Sequence, residues 1–399
     1  MLQKTRYSLL LPLALCLGLG TAALAQEPPF AALQQQAQQG DAAAQFQLGT
    51  RFDAGQDVPQ NFAMAAKWFR AAAEQGNAAA QNQLGKYLQS GLGGAQNHVE
   101  AVKWLQQAAQ AGDPQHLVDL ATMYENGFGV AQDYGGAAAL YRRAAQLGHL
   151  DAAVNLGVLY QNGTGVAQDY DAARALYLKP AEAGNARAQN NLGLLYSRGN
   201  GVTQDYEQAA IWFSKAAEAG LSTAMTNLGV MYENGFGVAQ NDAKAAALYR
   251  SGGQQKDPET LLADIGFIPD PRLNVPSYGR ATLTQLQTGA EQGDPVAQFL
   301  LAYLLISGPD ATANISVAAH WFAAAAKAGM PAAMANLGLL YYRGLGVPQD
   351  YVSGYMWLTL AAAGNSGQLS ELRDALGVKM TVTQINEAQT LASNRWQSK

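Results

Sequence analysis

The chain has 399 residues, of which 49% are hydrophobic and only 14% are charged, and its formal net charge is −5. This acidic balance argues against nucleic acid and anionic membrane surfaces as partners, because both are bound through clusters of lysine and arginine. The single cysteine excludes an intramolecular disulfide framework.

The first 25 residues predict a cleavable secretory signal. Two basic residues precede a largely apolar run at 9–17, and small residues lead up to Ala25. We therefore expect cleavage near Ala25 and a periplasmic or secreted mature protein. A lipoprotein signal at Cys16 is the alternative, but Leu15 stands where such signals carry a small residue. No later stretch approaches the roughly 20 apolar residues of a membrane span, so we expect no stable membrane insertion.

Beyond a lone capping helix at 26–40, the chain repeats one unit, which is clearest around Leu156. Leu156 and Tyr160 share one stripe of a first helix. Gly163 ends that helix, because glycine adopts positive φ without penalty. Asp169 then stands where it can cap a second helix, which runs to Gly184. Each unit is therefore predicted to be a pair of helices.

The landmarks of this unit recur with a period of 36 residues. The closing glycine is found at Gly40, Gly76, Gly112, Gly148, Gly184 and Gly220. The central leucine is found at Leu48, Leu84, Leu120, Leu156, Leu192 and Leu228, and again at Leu301 and Leu337. A fixed period of this length indicates a solenoid in which each unit packs on its neighbours. In unit one Asp57 replaces the second loop glycine, so we expect that loop to differ locally.

The repeated motif, LG..Y..G.GV.QDY..A..W...AA..G, resembles that of the Sel-one-like repeat family, which is related to the tetratricopeptide repeats. The resemblance covers roughly residues 31 to 364. It implies an all-α fold, an α/α superhelical solenoid of about nine helix-turn-helix repeats with terminal capping helices. It also implies an exported bacterial scaffold that binds another protein or a peptide and is not an enzyme.

The chain divides into consecutive segments on this basis. They are a signal peptide at 1–25, an N-terminal capping helix at 26–40, repeats one to six at 41–256, a degenerate repeat at 257–293, repeats eight and nine at 294–364, and C-terminal capping helices at 365–399. In the degenerate repeat we expect a short helix at 257–265, a proline-containing loop at 266–280 and a second helix at 281–292. The alternative is that this region is a hinge.

The sequence shows no motif for catalysis, a cofactor or a metal. The four histidines lie in different units, without a second histidine at the i+3 or i+4 spacing of metal ligands. No serine hydrolase, zinc protease or phosphate-loop motif is present, and no serine is followed three residues later by lysine. The alternative is an envelope enzyme acting on cell-wall material, penicillin-binding or β-lactamase-like, because a cysteine-rich branch of the family is linked to penicillin binding. This chain lacks those cysteines.

The most suggestive polar feature is the residue before the central leucine. It is asparagine in four units, at Asn155, Asn191, Asn227 and Asn336. In tetratricopeptide relatives this position lies near the concave groove, so the resemblance implies a partner-binding surface. By the same similarity that surface includes Val158, Leu194, Val230 and Leu339. An amide offers both a donor and an acceptor to an extended peptide. The alternative is that these amides bond to adjacent helices within the solenoid.

Overall fold

The computed structural model describes residues 28–253, 262, 265–363 and 367–398, and within these residues the regular structure is entirely helical. The predicted signal peptide at 1–25 lies outside the described residues. Most of the short helix expected at 257–265 lies outside them as well.

Six helix pairs follow an N-terminal helix, α1 (Phe30–Gln38). They are α2 (Ala42–Ala54) with α3 (Phe62–Glu74), α4 (Ala78–Ser90) with α5 (His98–Gln110), α6 (Pro114–Asn126) with α7 (Tyr134–Gln146), α8 (Leu150–Asn162) with α9 (Tyr170–Glu182), α10 (Ala186–Arg198) with α11 (Tyr206–Glu218), and α12 (Ser222–Asn234) with α13 (Asp242–Gly253).

Seven further helices are described after residue 265. They are α14 (Arg280–Glu291), the pair α15 (Pro295–Ser307) and α16 (Ala311–Lys327), the pair α17 (Pro331–Arg343) and α18 (Tyr351–Ala362), and the terminal helices α19 (Gly367–Gly377) and α20 (Val382–Gln397). The helical solenoid predicted from the repeat is therefore the observed architecture.

The turns inside the pairs have the predicted chemistry. Asp169 accepts a hydrogen bond from the N–H of Ala172 at 2.9 Å, which caps α9. Gly163 ends α8 with a φ of 68°, a conformation that is strained for most other residues. The expectation that the loop of unit one would differ is wrong. Asp57 has a φ of 63° and keeps the left-handed backbone that Gly93 has in unit two, because aspartate tolerates this region better than most side chains do.

In six of the eight described helix pairs, a glycine of the first helix packs against a large side chain of the second. Gly193 of α10 lies against the ring of Phe213 in α11, and a Cβ added at Gly193 would lie 2.6 Å from a ring carbon. The same contact joins Gly157 and Tyr177 in unit four, where the distance would be 2.4 Å. The buried side chains form a series of clusters, each shared by neighbouring helices, as a solenoid requires.

Between α13 and α14 the chain leaves the repeat pattern. Residues 265–273, here called the extended segment, contain no helix and pack against α17. Arg343, at the end of α17, donates to the carbonyl of Leu262 at 2.8 Å. Pro331, at the start of α17, lines a cavity together with Pro269 and Pro271. The extended segment therefore runs antiparallel to α17 along its length.

The C-terminal helices do more than cover the last pair, because they also reach unit one. The Gln60 Oε1 atom accepts hydrogen bonds from the Tyr355 hydroxyl at 2.9 Å and from Gln389 Nε2 at 3.2 Å. Asn61 Nδ2 donates to Ser393 Oγ at 2.6 Å. Gln60 and Gln389 are both buried. The first unit and the last helix are thus joined by a buried polar contact, and the solenoid closes on itself.

Candidate functional site

In unit nine the predicted site amide holds a polypeptide main chain. Asn336 is completely buried, and its Nδ2 donates to the carbonyl of Ile268 at 2.8 Å. Its Oδ1 accepts from the N–H of the same residue at 2.7 Å. Both functions of one side-chain amide are therefore used by a single residue of the extended segment, as in a pair of β-strand hydrogen bonds.

Arg343, on the same face of α17, also contacts this part of the chain. Its guanidinium donates to the carbonyls of Leu262 and Ile265, and it lies over the ring of Phe267, with 5.7 Å between Cζ and the ring centroid. Burial beneath the segment lowers the pKa of Arg343. Sequence reasoning missed Arg343. The available signal was its position seven residues after Asn336, which places both side chains on one face.

The apolar residue between these two groups is also covered. Leu339 has no exposed surface and belongs to the C-terminal core, against which Ile265, Phe267 and Ile268 pack. Asn336 and Leu339 were predicted to contact a partner. In this structure Asn336 contacts the chain's own extended segment, and Leu339 is buried in the core against which that segment packs, so neither is accessible to a partner.

In units four and five the corresponding amides, Asn155 and Asn191, remain half-buried and bond to neighbouring helices. Asn155 Oδ1 accepts from Arg187 Nη2 at 3.0 Å, and the Asn155 amide is also bonded to the Tyr141 hydroxyl. The Asn191 amide is bonded to the Tyr177 hydroxyl in the same way. Burial raises the pKa of both tyrosines, which therefore stay protonated. Hydrogen bonds within the solenoid therefore use part of the bonding capacity of these amides, as the alternative interpretation of the sequence expected.

Unit six differs because α11 carries Phe213 where α7 and α9 carry tyrosine, so no hydroxyl is offered to its amide. Asn227 Nδ2 instead donates to Asn190 Oδ1 at 2.9 Å. Beside it Val230 is 40% exposed. The corresponding residues of units four and five, Val158 and Leu194, are half-buried. The surface around these residues is thus a row of amides alternating with accessible aliphatic side chains.

The histidines and acidic residues outside this surface are the groups from which a metal site would be built. Within the described ranges, no three His, Cys, Asp or Glu side chains come together as a metal site would require. His149 is the N-cap of α8, and the His116 ring is hydrogen-bonded to the carbonyl of Ala108 at 3.3 Å, so both have packing roles. Among the helices that the structure describes, none is long and apolar enough to cross a membrane.

Comparisons with known proteins agree with this architecture. The model of the Sel1 repeat matches residues 42–77, 78–113, 117–149, 150–185, 186–221, 222–257, 295–330 and 331–366. The extended segment lies between residues 257 and 295, a stretch that none of these matches covers. A search of curated proteins found no match.

Two solved structures resemble the chain. One is a protective antigen present in uropathogenic Escherichia coli strains, with an SLR fold, which is 29% identical with a TM-score of 0.54 over 93% of this chain and 95% of that chain. The other is a Sel1 repeat protein from Oxalobacter formigenes, which is 32% identical with a TM-score of 0.53 over 57% of this chain and 92% of that chain.

Proposed function

Because this chain belongs to the Sel1 repeat family, whose members generally mediate protein–protein interactions and are typically non-catalytic, we propose that it is a protein-binding scaffold of the bacterial cell envelope. The partner binds to the concave face of units four to six as an extended polypeptide segment. The contact residues form a surface that we call the ladder surface, which consists of Asn155, Asn191, Asn227, Val158, Leu194 and Val230. The signal-like sequence at 1–25 supports the envelope location.

The observation that carries this proposal is the contact of Asn336 with the main chain of Ile268. An extended segment that leaves water must find partners for its N–H and C=O groups, and a side-chain amide supplies both. In unit nine the asparagine before the central leucine makes both of these hydrogen bonds. Units four to six have the same residue type at the same repeat position, without a segment of the described chain lying over it.

Affinity capture from an envelope extract tests the proposal. The mature chain would be compared with the triple variant Asn155→Ala, Asn191→Ala, Asn227→Ala. A matched control replaces Asn126, Asn162 and Asn234, which lie at the ends of first helices rather than in the ladder. We expect the wild type and the control to retain one partner that the ladder variant loses, with unchanged helical circular dichroism. Equal retention by all three proteins would refute the assigned surface.

The non-catalytic part of the proposal has its own test. A fluorescent penicillin should not label the mature chain covalently, because the sequence offers no activated serine. Labelling that is blocked by unlabelled penicillin and survives denaturation would instead favour an enzyme acting on cell-wall material.

A further inference from the structure

Units five and nine share a local sequence to an unusual degree. Residues 191–196 and 336–341 both read NLGLLY, and each stretch is followed two residues later by arginine, at Arg198 and Arg343. The asparagine, the second leucine and the arginine therefore have the same i, i+3, i+7 spacing in α10 and α17. This spacing puts all three on one face of the helix.

The structure shows what these three residues do in unit nine. Asn336 and Arg343 together hold main-chain atoms of Leu262, Ile265 and Ile268, which follow one another at intervals of three residues. One nitrogen of Arg343 reaches the carbonyls of both Leu262 and Ile265, so the chain turns at that end, and it is extended from Ile265 to Ile268.

The same three residues are uncovered in unit five. Asn191 and Leu194 are half-buried, and Arg198 is exposed. The bond between the Asn191 amide and Tyr177 does not exhaust the amide, since a carboxamide has two N–H donors and an acceptor oxygen. Ser197 stands where unit nine has Tyr342, so less side chain borders this face in unit five.

The extended segment itself indicates the chemistry of a ligand that would fit the same three positions in unit five. It places Phe267 beneath the guanidinium of Arg343 and then reads Ile268-Pro269. A residue before proline is restricted to extended backbone, so Ile268 loses little conformational freedom when Asn336 binds it. An apolar, proline-containing segment with an aromatic residue is thus well suited to the site formed by Asn336, Leu339 and Arg343.

We propose that Asn191, Leu194 and Arg198 form a second binding site of this kind. It binds an extended segment of a partner protein that is chemically similar to the extended segment packed on unit nine. The partner segment carries an aromatic residue next to an aliphatic residue that precedes proline. This inference rests on the proposed function of the ladder surface, and it adds Arg198 and the chemistry of the ligand. Arg198 orients the main chain through its carbonyls and covers the aromatic ring.

The probe is a fluorescein-labelled peptide with the sequence of residues 262–273, LADIGFIPDPRL, titrated with the whole mature chain and followed by fluorescence anisotropy. We expect saturable binding that Arg198→Leu and Asn191→Ala each weaken by about tenfold, which corresponds to about 1.4 kcal/mol. Arg143→Leu, on the exposed side of α7, is the control and should not change binding. A peptide in which alanine replaces the phenylalanine should bind more weakly.

Three outcomes would overturn the inference. They are absence of binding, binding that ignores Arg198 and Asn191 but changes with Arg343→Leu, and an Arg198-dependent dimer in sedimentation. The second outcome would mean that the peptide exchanges with the segment on unit nine, and the third that the occupant is a second copy of this chain. If the peptide fails while the triple asparagine variant still loses its captured partner, the scaffold function stands and the proposed ligand chemistry is wrong.

Discussion

Replacing Gly193 by alanine tests whether the helix pairs really depend on a close approach. Glycine in a helix is about 1 kcal/mol less favourable than alanine, so a Gly193→Ala variant would be stabilised if this position were open. It is not open, because the new Cβ would lie 2.6 and 2.7 Å from two carbons of the Phe213 ring. Phe213 is itself only 2% exposed, so its ring cannot swing into solvent.

The change in the free energy of unfolding can be estimated from these distances. Ordinary carbon contacts begin near 3.5 Å, so the ring or the helix must move by close to 1 Å. Overpacking of this kind costs about 1–3 kcal/mol, which outweighs the helix-propensity gain and leaves a net loss of about 0–2 kcal/mol. Ala302 lies opposite Phe322 in unit eight at the equivalent positions, which shows that a pair can adapt to one methyl group and favours the lower half of that range.

Urea denaturation followed by circular dichroism would measure this difference. The control is Gly135→Ala in the first turn of α7, where the nearest atom to an added Cβ is 3.4 Å away and the residue is exposed. The control should be neutral or stabilised, and Gly193→Leu should be worse than Gly193→Ala. If Gly193→Ala were as stabilising as Gly135→Ala, the glycine contact would not limit the approach of the helices.

Three further results are expected. Ala153→Gln should stabilise unit four by about 0.5–1.5 kcal/mol in urea denaturation, because Gln189 at the equivalent position donates to a carbonyl eight residues earlier at 2.9 Å, whereas Ala153 borders a cavity of about 480 Å³. Gln60→Leu should speed hydrogen exchange in residues 382–397 without changing it in α8, since the acceptor that joins unit one to the C-terminal helices is lost. Burial raises the pKa of Tyr355 to about 12, so the stability from its neutral phenol is present below about pH 10 and lost as the pH rises toward 12, and Tyr355→Phe should reduce the corresponding fall in melting temperature.

The helix pairs could be predicted from the sequence because each landmark has a local cause. Gly163 ends a helix through its own backbone freedom, and Asp169 starts one by capping a nearby N–H. The recurrence of both residues at one period then implies the solenoid without knowledge of any long-range contact. Asp57 shows the limit of this reasoning, since its residue type suggested a different loop while the surrounding turn imposed the same backbone.

The contacts between distant parts of the chain could not be predicted in this way. Asn336 meets Ile268 across 68 residues, and Gln389 meets Gln60 across 329 residues. Neither contact produces a period in the sequence. Whether a ladder amide is satisfied inside the solenoid depends on its neighbour in the preceding helix, such as Tyr177 for Asn191. The sequence therefore identified the amide position, while the structure separates the units in which it is covered from those in which it is accessible.

Site-specific photo-crosslinking in the bacterial envelope tests most directly whether the ladder surface binds a partner. A photoreactive phenylalanine analogue would replace Leu194 or Val230 on that surface, and Val99, which is 57% exposed on α5, would be the control position. We expect one discrete adduct of the same partner from positions 194 and 230 and none from position 99. An adduct that forms equally well from position 99, or only from there, would contradict the assignment of the ladder surface as the binding site.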